Sequence, residues 1–455
     1  MIKHIDPILK EIASIFNAGG KEIYLVGGAV RDILRGEKIH DWDLAANAVP
    51  QEVTEIMKSA GAKVIPTGIK HGTVTILYKK RSAEITTFRT ESDYTDGRRP
   101  GKVSFTANIE DDLSRRDFTM NAIALRLPDG KLIDPFCGET DIKAKTIRCV
   151  GNAADRFNED GLRPLRAVRF ASQLGFEIEK NTLNAVRGTL SVCEKVSMER
   201  VRDEIDKIIK SPVPSVGFRL MEQTGLLKLF LSELAGCRGI DQKGFHQFDV
   251  LDHSFLACDY AAMNNFSFQV RSAALFHDIG KPITRRLDAG GVYTFYRHEE
   301  VSAQMCREIL CRLRYPNAVI ENVCHLIKEH MFHYTDDWSD AAVRRFIARA
   351  GEENLDDLYR LRRADIFGFS GVNPDYRSIE LLAERINKVL NESRAFSIKD
   401  LAVSGNELIQ AGIEPGKIMG IILKELLETV LDDPAQNSKE ILLEIALKIY
   451  KERIL

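Results

Sequence analysis

The spacing of apolar residues changes character about a third of the way along the chain. Before Cys149 two periods alternate. Residues 5–17 (IDPILKEIASIFN) repeat at helical spacing, Ile23–Val26 is a short all-apolar run of strand length, and a helix is expected over Gly28–Leu34, straight after two glycines. Asp41–Ala45 reads as a strand, Pro50–Ser59 as a helix, and Thr73–Tyr78 and Glu84–Phe88 as β-rich strands. The polar stretch TESDYTDGRRPGKVS holds Asp-Gly and Pro-Gly and little apolar content, so a mobile loop is expected there. The apolar MNAIAL that follows Arg116 reads as a helix. After Cys149 the strand signals stop. The remainder is helical pattern broken at Ser211–Pro214, Cys237–Gly244 and Gly371–Pro374, without internal repeats. An α/β or α+β head followed by a long helical remainder is the architecture this pattern predicts.

Composition narrows the class. The 455 residues are 44% hydrophobic, 8% aromatic and 29% charged, as in globular chains, and the length allows about two to four cores. Eight cysteines without a CxxC pair, and no secretory leader, point to a reducing setting and a cytoplasmic protein. No apolar run approaches the ~18 residues a membrane span needs. The 64 Lys and Arg against 66 Asp and Glu give a net charge of -2, which excludes only a chain basic throughout. Nucleic-acid binding depends on where the charges lie.

Three constellations carry chemistry. In YLVGGAVRDILRG, Gly27 and Gly28 stand at a strand-to-helix junction, where backbone N–H groups can approach an anion; a Gly-Gly strand end is also commonly just a tight turn. Asp41 and Asp43 follow as D-x-D on an expected strand, on one face. Carboxylates so close repel unless a hard cation lies between them, and Mg²⁺, with its preference for oxygen ligands and phosphates, is the natural one. Arg31, one turn into the helix, could clamp the same phosphates. Glu84 is a candidate third carboxylate, or an ordinary surface residue.

The second constellation is basic. Ser114-Arg115-Arg116-Asp117-Phe118 is followed by EDGLRPLRAVRF, in which Pro164 marks a first helical turn and places the helix start near Asp160. Arg163, Arg166 and Arg169 recur every three residues and form one stripe, suited to the several negative charges of a nucleoside triphosphate. Asp160 and Arg163 share a face. An Asp accepting from an exocyclic amine and an Arg donating to a ring nitrogen or carbonyl would together choose cytosine and adenine over uracil and guanine without a template. An i,i+3 salt bridge is the plainer reading of that pair.

GGAVRD with DWD, RRDFTMNAIA, DPFCGETDI, EDGLRPLRAVRFASQLGF and ERVRDEI (Glu199–Ile205) resemble, in order over about residues 20–235, the motifs of the class II tRNA nucleotidyltransferases: CCA-adding enzymes and poly(A) polymerases of the polymerase-β-like superfamily. The resemblance implies a mixed-sheet nucleotidyltransferase head, and a two-metal displacement in which the tRNA 3′-hydroxyl attacks the α-phosphate of CTP or ATP and pyrophosphate leaves. Asp41 and Asp43 would hold Mg²⁺. Gly27, Gly28, Arg31 and Arg116 would lie at the nucleotide phosphates or ribose, Asp117 near the sugar, Asp160 and Arg163 at the base, and Arg166 and Arg169 would complete the pocket. The stretch TESDYTDGRRPGKVSF resembles the loop of A-incorporating members, against a CC-only enzyme, and Pro66–Thr73 resembles the CCA type more than the poly(A) polymerases.

The third constellation lies in the helical half: His253, His277-Asp278 before Gly280-Lys281-Pro282, His298, His330 and Asp365. Imidazole with carboxylate suits a divalent transition metal, Mg²⁺ or Mn²⁺. In order and type the set resembles an HD-domain phosphohydrolase, which implies a primary site at His253, His277, Asp278 and Asp365, with His298 and His330 for a second metal or phosphate. A retained scaffold that props tRNA is the alternative.

The expected organisation is a head over 1–148, a helical neck with base recognition over 149–210, a body over 211–239, an HD-type helical domain over 240–370 and a helical tail over 371–455. The expected activity is CCA addition to tRNA 3′ ends, with A-only or poly(A) addition as the alternative, and a mainly hydrolytic HD enzyme as a third. The expected partners are tRNA, CTP and ATP and no membrane. Monomer and homodimer both stay open, as the tail could grip tRNA or form a dimer contact.

Overall fold

The computed structural model describes residues 5–39, 41–69, 72–94, 100–242, 247–372, 374–392 and 395–454. The chain divides into two compact units, Met1–Ala235 with Arg312–Arg314, and Gly236–Cys311 with Tyr315–Leu455.

The first unit is organised by its sheet. Its main strands are β1 (Ile23–Val26), β2 (Trp42–Ala46), β3 (Lys63–Gly68), β4 (Thr73–Tyr78), β5 (Arg81–Thr87), β6 (Arg89–Tyr94), β7 (Pro100–Phe105), β8 (Ala124–Leu127) and β9 (Leu132–Ile133). A two-residue parallel pair, Thr146–Ile147 with Glu177–Ile178, adds a strand after Cys149 where none was expected. Among the described residues seven of these form one sheet in the order β3-β4-β5-β2-β1-β8-β9. All its pairings are antiparallel except β2 with β5. That parallel pair requires a crossover, made by the Pro50–Ser59 helix together with β3 and β4. Tyr24, Val26, Ala45, Phe88 and Ala124 pack into one core cluster, with the Tyr24 and Phe88 rings edge to face at 5.6 Å.

Four further features differ from the sequence reading. MNAIAL is not a helix: Thr119–Asn121 makes one 3₁₀ turn and Ala124–Leu127 is β8, paired along its length with β1. Helix-favouring Ala and Leu are overruled here by burial on both faces, since Ala124, Leu125 and Leu127 are all buried. The polar stretch expected as a loop holds β6 and β7, an antiparallel hairpin, with residues 95–99 outside the described set. The D-x-D strand starts one residue later than expected, so Asp41 lies in the bend before β2 and only Asp43 is within it. The arginine-rich helix is Arg163–Leu174 with Pro164 in its first turn, and Asp160 instead ends the preceding Ala153–Glu159 helix. Lys70 and His71, within the Pro66–Thr73 segment, fall outside the described residues.

The second unit, among the described residues, is helical apart from a ribbon of Arg286–Leu287 with Tyr293–Thr294. The Val250–Met263, Phe268–Phe276 and Leu355–Ser370 helices pack together, and a further core of Leu408, Ile422, Leu426, Leu442 and Ala446 gathers the C-terminal helices. Among the described residues the cysteines are all free thiols, and no helix is long and apolar enough to cross a membrane.

Since β8 sits next to β1 and Leu125 is fully buried, Leu125→Ala is expected to cost about 2–5 kcal/mol. Thermal unfolding of the full chain should show a lowered first transition, whereas a helical, peripheral MNAIAL would give a much smaller shift.

Candidate active site

The glycine turn has a steric purpose. Gly27 has φ +68°, and a Cβ there would lie 3.0 Å from Arg116 Nη1; a Cβ on Gly28 would lie 3.4 Å from Arg31 Nη2. Both glycines therefore let guanidinium groups lie against the backbone at the start of the Gly28–Leu34 helix. Arg31 is buried. Its Nη1 donates to Asn121 Oδ1 at 2.9 Å, its Nε to Asp32 Oδ1 at 2.9 Å, and its guanidinium lies 5.4 Å from the Phe170 ring.

β2 and β5 set the carboxylates. Trp42 and Leu44 point into the core, so Asp43 faces the other way, beside its register partner Glu84 on β5. Both line a cavity of about 630 Å³. The protein wall around Asp43 raises its carboxyl above the ordinary value, Arg116 pulls the other way, and Asp41 adds to the rise. Asp41 is exposed and does not line the cavity.

The same cavity is lined by Gly27, Gly28, Arg31, Arg116, Asp117, Asp160, Arg163, Arg166 and Arg169, so every nucleotide-site residue expected from sequence opens onto it. Each arginine has a carboxylate behind it. Asp117 Oδ2 accepts from Arg166 Nε at 2.7 Å, while its Oδ1 accepts from Asn121 Nδ2 at 3.3 Å. Burial pushes the Asp117 carboxyl up, but Arg166 outweighs it and holds it below the usual range. Arg169 meets Glu204 at 2.6 Å and lies 3.9 Å from the centre of the Phe170 ring; burial brings its pKa down to about 10 against the pull of Glu204.

The Arg163 N–H donates to the Asp160 carbonyl at 3.0 Å, but their side chains form no ion pair with each other. Arg163 Nη1 donates to Glu159 Oε2 at 2.6 Å and to the Arg156 carbonyl at 2.9 Å, and Nη2 to the Arg115 carbonyl at 3.2 Å. Asp160 Oδ1 accepts from the Leu162 N–H at 3.0 Å and Oδ2 from Arg200 Nη2 at 2.8 Å. The plain i,i+3 salt bridge is therefore absent, and each group is held in place by neighbours.

Residues not expected from sequence complete the site. Asp112 is fully buried, and its Oδ1 accepts from Arg115 at 2.7 Å and its Oδ2 from Arg116 at 3.0 Å. Burial raises its carboxyl, but Arg116 and Arg115 outweigh that and lower it. Its signal was the i,i+3 and i,i+4 spacing to Arg115 and Arg116. Arg200 and Glu204 lie within ERVRDEI, but their partners Asp160 and Arg169 stand on other segments, so spacing gives no signal for them, and nothing in the sequence singled out Asn121 or Phe170.

In the second unit the six candidate ligands come together. His253 Nε2 lies 3.0 Å from His277 Nε2 and 3.2 Å from Asp365 Oδ1; His277 Nε2 lies 3.3 Å from both Asp278 Oδ2 and Asp365 Oδ1. His298 Nε2 is 3.1 Å, and His330 Nε2 4.0 Å, from Asp278 Oδ1. Three of the imidazoles are oriented alike: the Nδ1–H groups of His277, His298 and His330 donate to the carbonyls of Ala274, Phe295 and Ile327 at 2.9, 2.9 and 2.6 Å. Each Nε2 lone pair then points into the cluster, the arrangement that prepares histidine for a metal. His253-His277-Asp365 and His277-Asp278-His330 each bring three ligand atoms within 4.8 Å. Burial works against a charge on His277, but Asp278 and Asp365 prevail and push it up to about 10, so its Nε2 holds a proton that a cation would have to displace. Lys281 Nζ reaches Asp278 Oδ2 at 2.6 Å and Gln242 Oε1 at 2.5 Å.

A mixed sheet with a glycine turn, strand-borne carboxylates and an arginine-lined cavity defines a nucleotidyltransferase of the polymerase-β-like type. Family models agree: residues 23–148 match the poly A polymerase head domain, 175–237 the probable RNA and SrmB-binding site of polymerase A, and 294–446 the putative tRNA nucleotidyltransferase domain 2. The chain is 34% identical over 444 residues to the CCA-adding enzyme of Lactobacillus johnsonii, covering 96% of this chain and 95% of that one. It is 32% identical over 452 residues to the CCA-adding enzyme of Ligilactobacillus salivarius, covering 98% and 96%. Among solved structures it is similar to the Bacillus stearothermophilus CCA-adding enzyme in complex with CTP, at 27% identity and TM-score 0.74 over 99% of both chains. The Thermotoga maritima CCA-adding enzyme with tRNA shares the fold, at 22% identity and TM-score 0.55 over 98% of this chain and 97% of that one. The chain belongs to the class II CCA-adding enzyme family and is a tRNA nucleotidyltransferase.

Asp112→Asn leaves two guanidinium groups facing a neutral amide, and should cost on the order of 3 kcal/mol at neutral pH. Because the Asp112 carboxyl is lowered in the folded state, its contribution is complete above its unfolded pKa of about 4 and disappears as pH falls through the lower folded value. Thermal melts of both proteins from pH 7 to pH 3 should therefore converge in acid; a gap independent of pH would contradict the assignment.

Proposed function

We propose that the chain completes tRNA 3′ ends by adding C, C and A from CTP and ATP without a nucleic-acid template. The observation that carries this reading is a single cavity that joins the glycine turn, Asp43 and the arginine stripe to Asp160 and Arg163. The CTP-bound relative supports it at the level of the family.

Asp41 and Asp43, with Glu84 beside Asp43, offer hard oxygen donors, and the raised carboxyl of Asp43 marks a place where a cation would be favourable. These residues fit Mg²⁺, which when bound neutralises charge on the reacting phosphates. The chain's own groups bind and orient. Arg31 and Arg116, packed over Gly28 and Gly27, reach the phosphates, Asp117 stands near the sugar, and Arg166 and Arg169 balance the remaining charge. Asp160 accepts from the amine that cytosine and adenine share, and Arg163 donates to the acceptor beside it. The β6–β7 hairpin occupies the stretch that resembles the loop of A-incorporating enzymes, which favours full CCA addition over CC addition alone.

The convergent Nε2 atoms favour a second activity: metal-dependent hydrolysis of a phosphate ester by the HD-type cluster, for which a cyclic or terminal phosphate at an RNA 3′ end is a fitting substrate. His253, His277, Asp278 and Asp365 would hold the primary metal, with His298 and His330 for a second metal or phosphate, and a bound cation would supply Lewis acidity there. The nitrogen and oxygen donors suit Mn²⁺, Ni²⁺ or Mg²⁺.

Two experiments test these readings. Given tRNA ending at the discriminator base, the protein should incorporate CTP; incorporation of ATP alone, and only on tRNA already ending in CC, means A-only addition. Asp43→Asn should lower incorporation by at least 10³-fold, as expected for loss of several kcal/mol of charge stabilisation. With Mn²⁺ or Ni²⁺ the wild type should hydrolyse 2′,3′-cyclic and 3′-phosphate esters, and the double change His277→Ala with Asp278→Ala should abolish that while sparing nucleotide addition. Wild-type protein inert with every metal would leave the cluster a structural scaffold.

A further inference from the structure

We propose that Arg200 is a positioning residue that sets base selectivity, by holding the Asp160 carboxylate so that its one remaining acceptor direction faces the incoming base. This rests on the nucleotide-transfer reading of the cavity and deepens it.

Asp160 has little freedom. Its backbone ends the Ala153–Glu159 helix in an extended conformation, and a Cβ on the next residue, Gly161, would lie 2.4 Å from the Val192 carbonyl oxygen, so the chain is wedged against its neighbour. The side chain is then fixed at both oxygens, by the Leu162 N–H on Oδ1 at 3.0 Å and by Arg200 Nη2 on Oδ2 at 2.8 Å. A carboxylate oxygen can accept a second hydrogen bond, so Oδ2 still has a lone pair for a ligand. A group held this way accepts from the exocyclic amine of cytosine or adenine and repels the carbonyl that uracil or guanine presents at the same place. If the carboxylate could swing, that discrimination would weaken.

Arg200 also carries an unmet demand of its own. It lines the cavity, and its Nη1 is buried without a hydrogen-bond partner. Leaving such a donor unsatisfied is unfavourable, and a ligand acceptor in the cavity would relieve it. The Met198–Ile209 helix presents both Arg200 and, one turn later, Glu204, which braces Arg169 at 2.6 Å. One helix face thus backs the base reader with Arg200 and the phosphate stripe with Glu204.

This pairing gives a test with an internal comparison. In full-length protein, kcat and KM for CTP, UTP, ATP and GTP are measured for wild type, Arg200→Met, Arg200→Lys and Glu204→Gln. Arg200→Met should lower the kcat/KM preference for CTP over UTP and for ATP over GTP by about tenfold or more, mainly through a higher KM for the correct nucleotides. Arg200→Lys, which can still donate to Oδ2, should recover part of that preference. Glu204→Gln should raise KM for all four alike. A uniform fall across the four nucleotides for Arg200→Met and Arg200→Lys, or undiminished discrimination, would overturn the assignment. Should Arg200→Met not fold, Arg200→Lys decides: discrimination equal to wild type, at unchanged or uniformly reduced rate, overturns it and a partial loss supports it. Wild-type protein that incorporates no nucleotide would sink the transferase reading itself, a result distinct from either of these.

Discussion

Concentrating arginines around one cavity is the constraint that the rest of the first unit answers. Two guanidinium groups ~5 Å apart repel by about 3 kcal/mol at an effective dielectric of ~20. The chain meets this by giving the cavity arginines carboxylate partners: Asp32 for Arg31, Asp112 shared by Arg115 and Arg116, Glu159 for Arg163, Asp117 for Arg166, Glu204 for Arg169 and Asp160 for Arg200. Phe170 adds a neutral wall, with Arg31, Arg166 and Arg169 within 5.5 Å of its ring centre. The overall charge of -2 is thus compatible with a strongly cationic function. The acids are not scattered at random; several are spent holding arginines at a surface that an anion will approach.

Much of the head was legible because its local signals agree with its tertiary setting. Ile23–Val26 is a strand and Gly28–Leu34 and Pro50–Ser59 are helices where apolar spacing, glycine and proline indicate them. The failures fall where pairing outvotes composition. MNAIAL is built from residues that favour helices, yet it becomes β8 because β1 offers a full set of hydrogen-bond partners and a buried bed. The polar β6–β7 hairpin failed for the opposite reason: little in its composition asks to be buried, so no apolar alternation marks the two strands that pair there.

In the site, what could be read were groups whose chemistry is unusual for their spacing: DWD, the arginine triplet, and His277-Asp278. What could not be read were the groups behind them. Asp112 and Glu204 look like ordinary helix acids until the fold places Arg116 and Arg169 against them, and Asp160 and Arg163 look like a salt bridge until each is seen engaged elsewhere. Close spacing in the chain can suggest a pair such as Asp112, in the Ile109–Ser114 helix, and Arg116, just past its end; it is blind to Arg169 with Glu204, which lie on different helices.

The histidine and aspartate cluster of the second unit has a mechanical side as well as a chemical one. Its residues begin at His253 and end at Asp365, about 110 positions apart, and stand on or at the ends of five helices. A cation held by both ends closes that whole length of chain as a cross-link would, and for a loop of ~100 residues such closure removes about 4–5 kcal/mol of freedom from the unfolded chain. If the cluster holds such an ion, metal retention and the integrity of this helical unit would be one equilibrium, and loss of the ion would loosen the helices that carry the cluster.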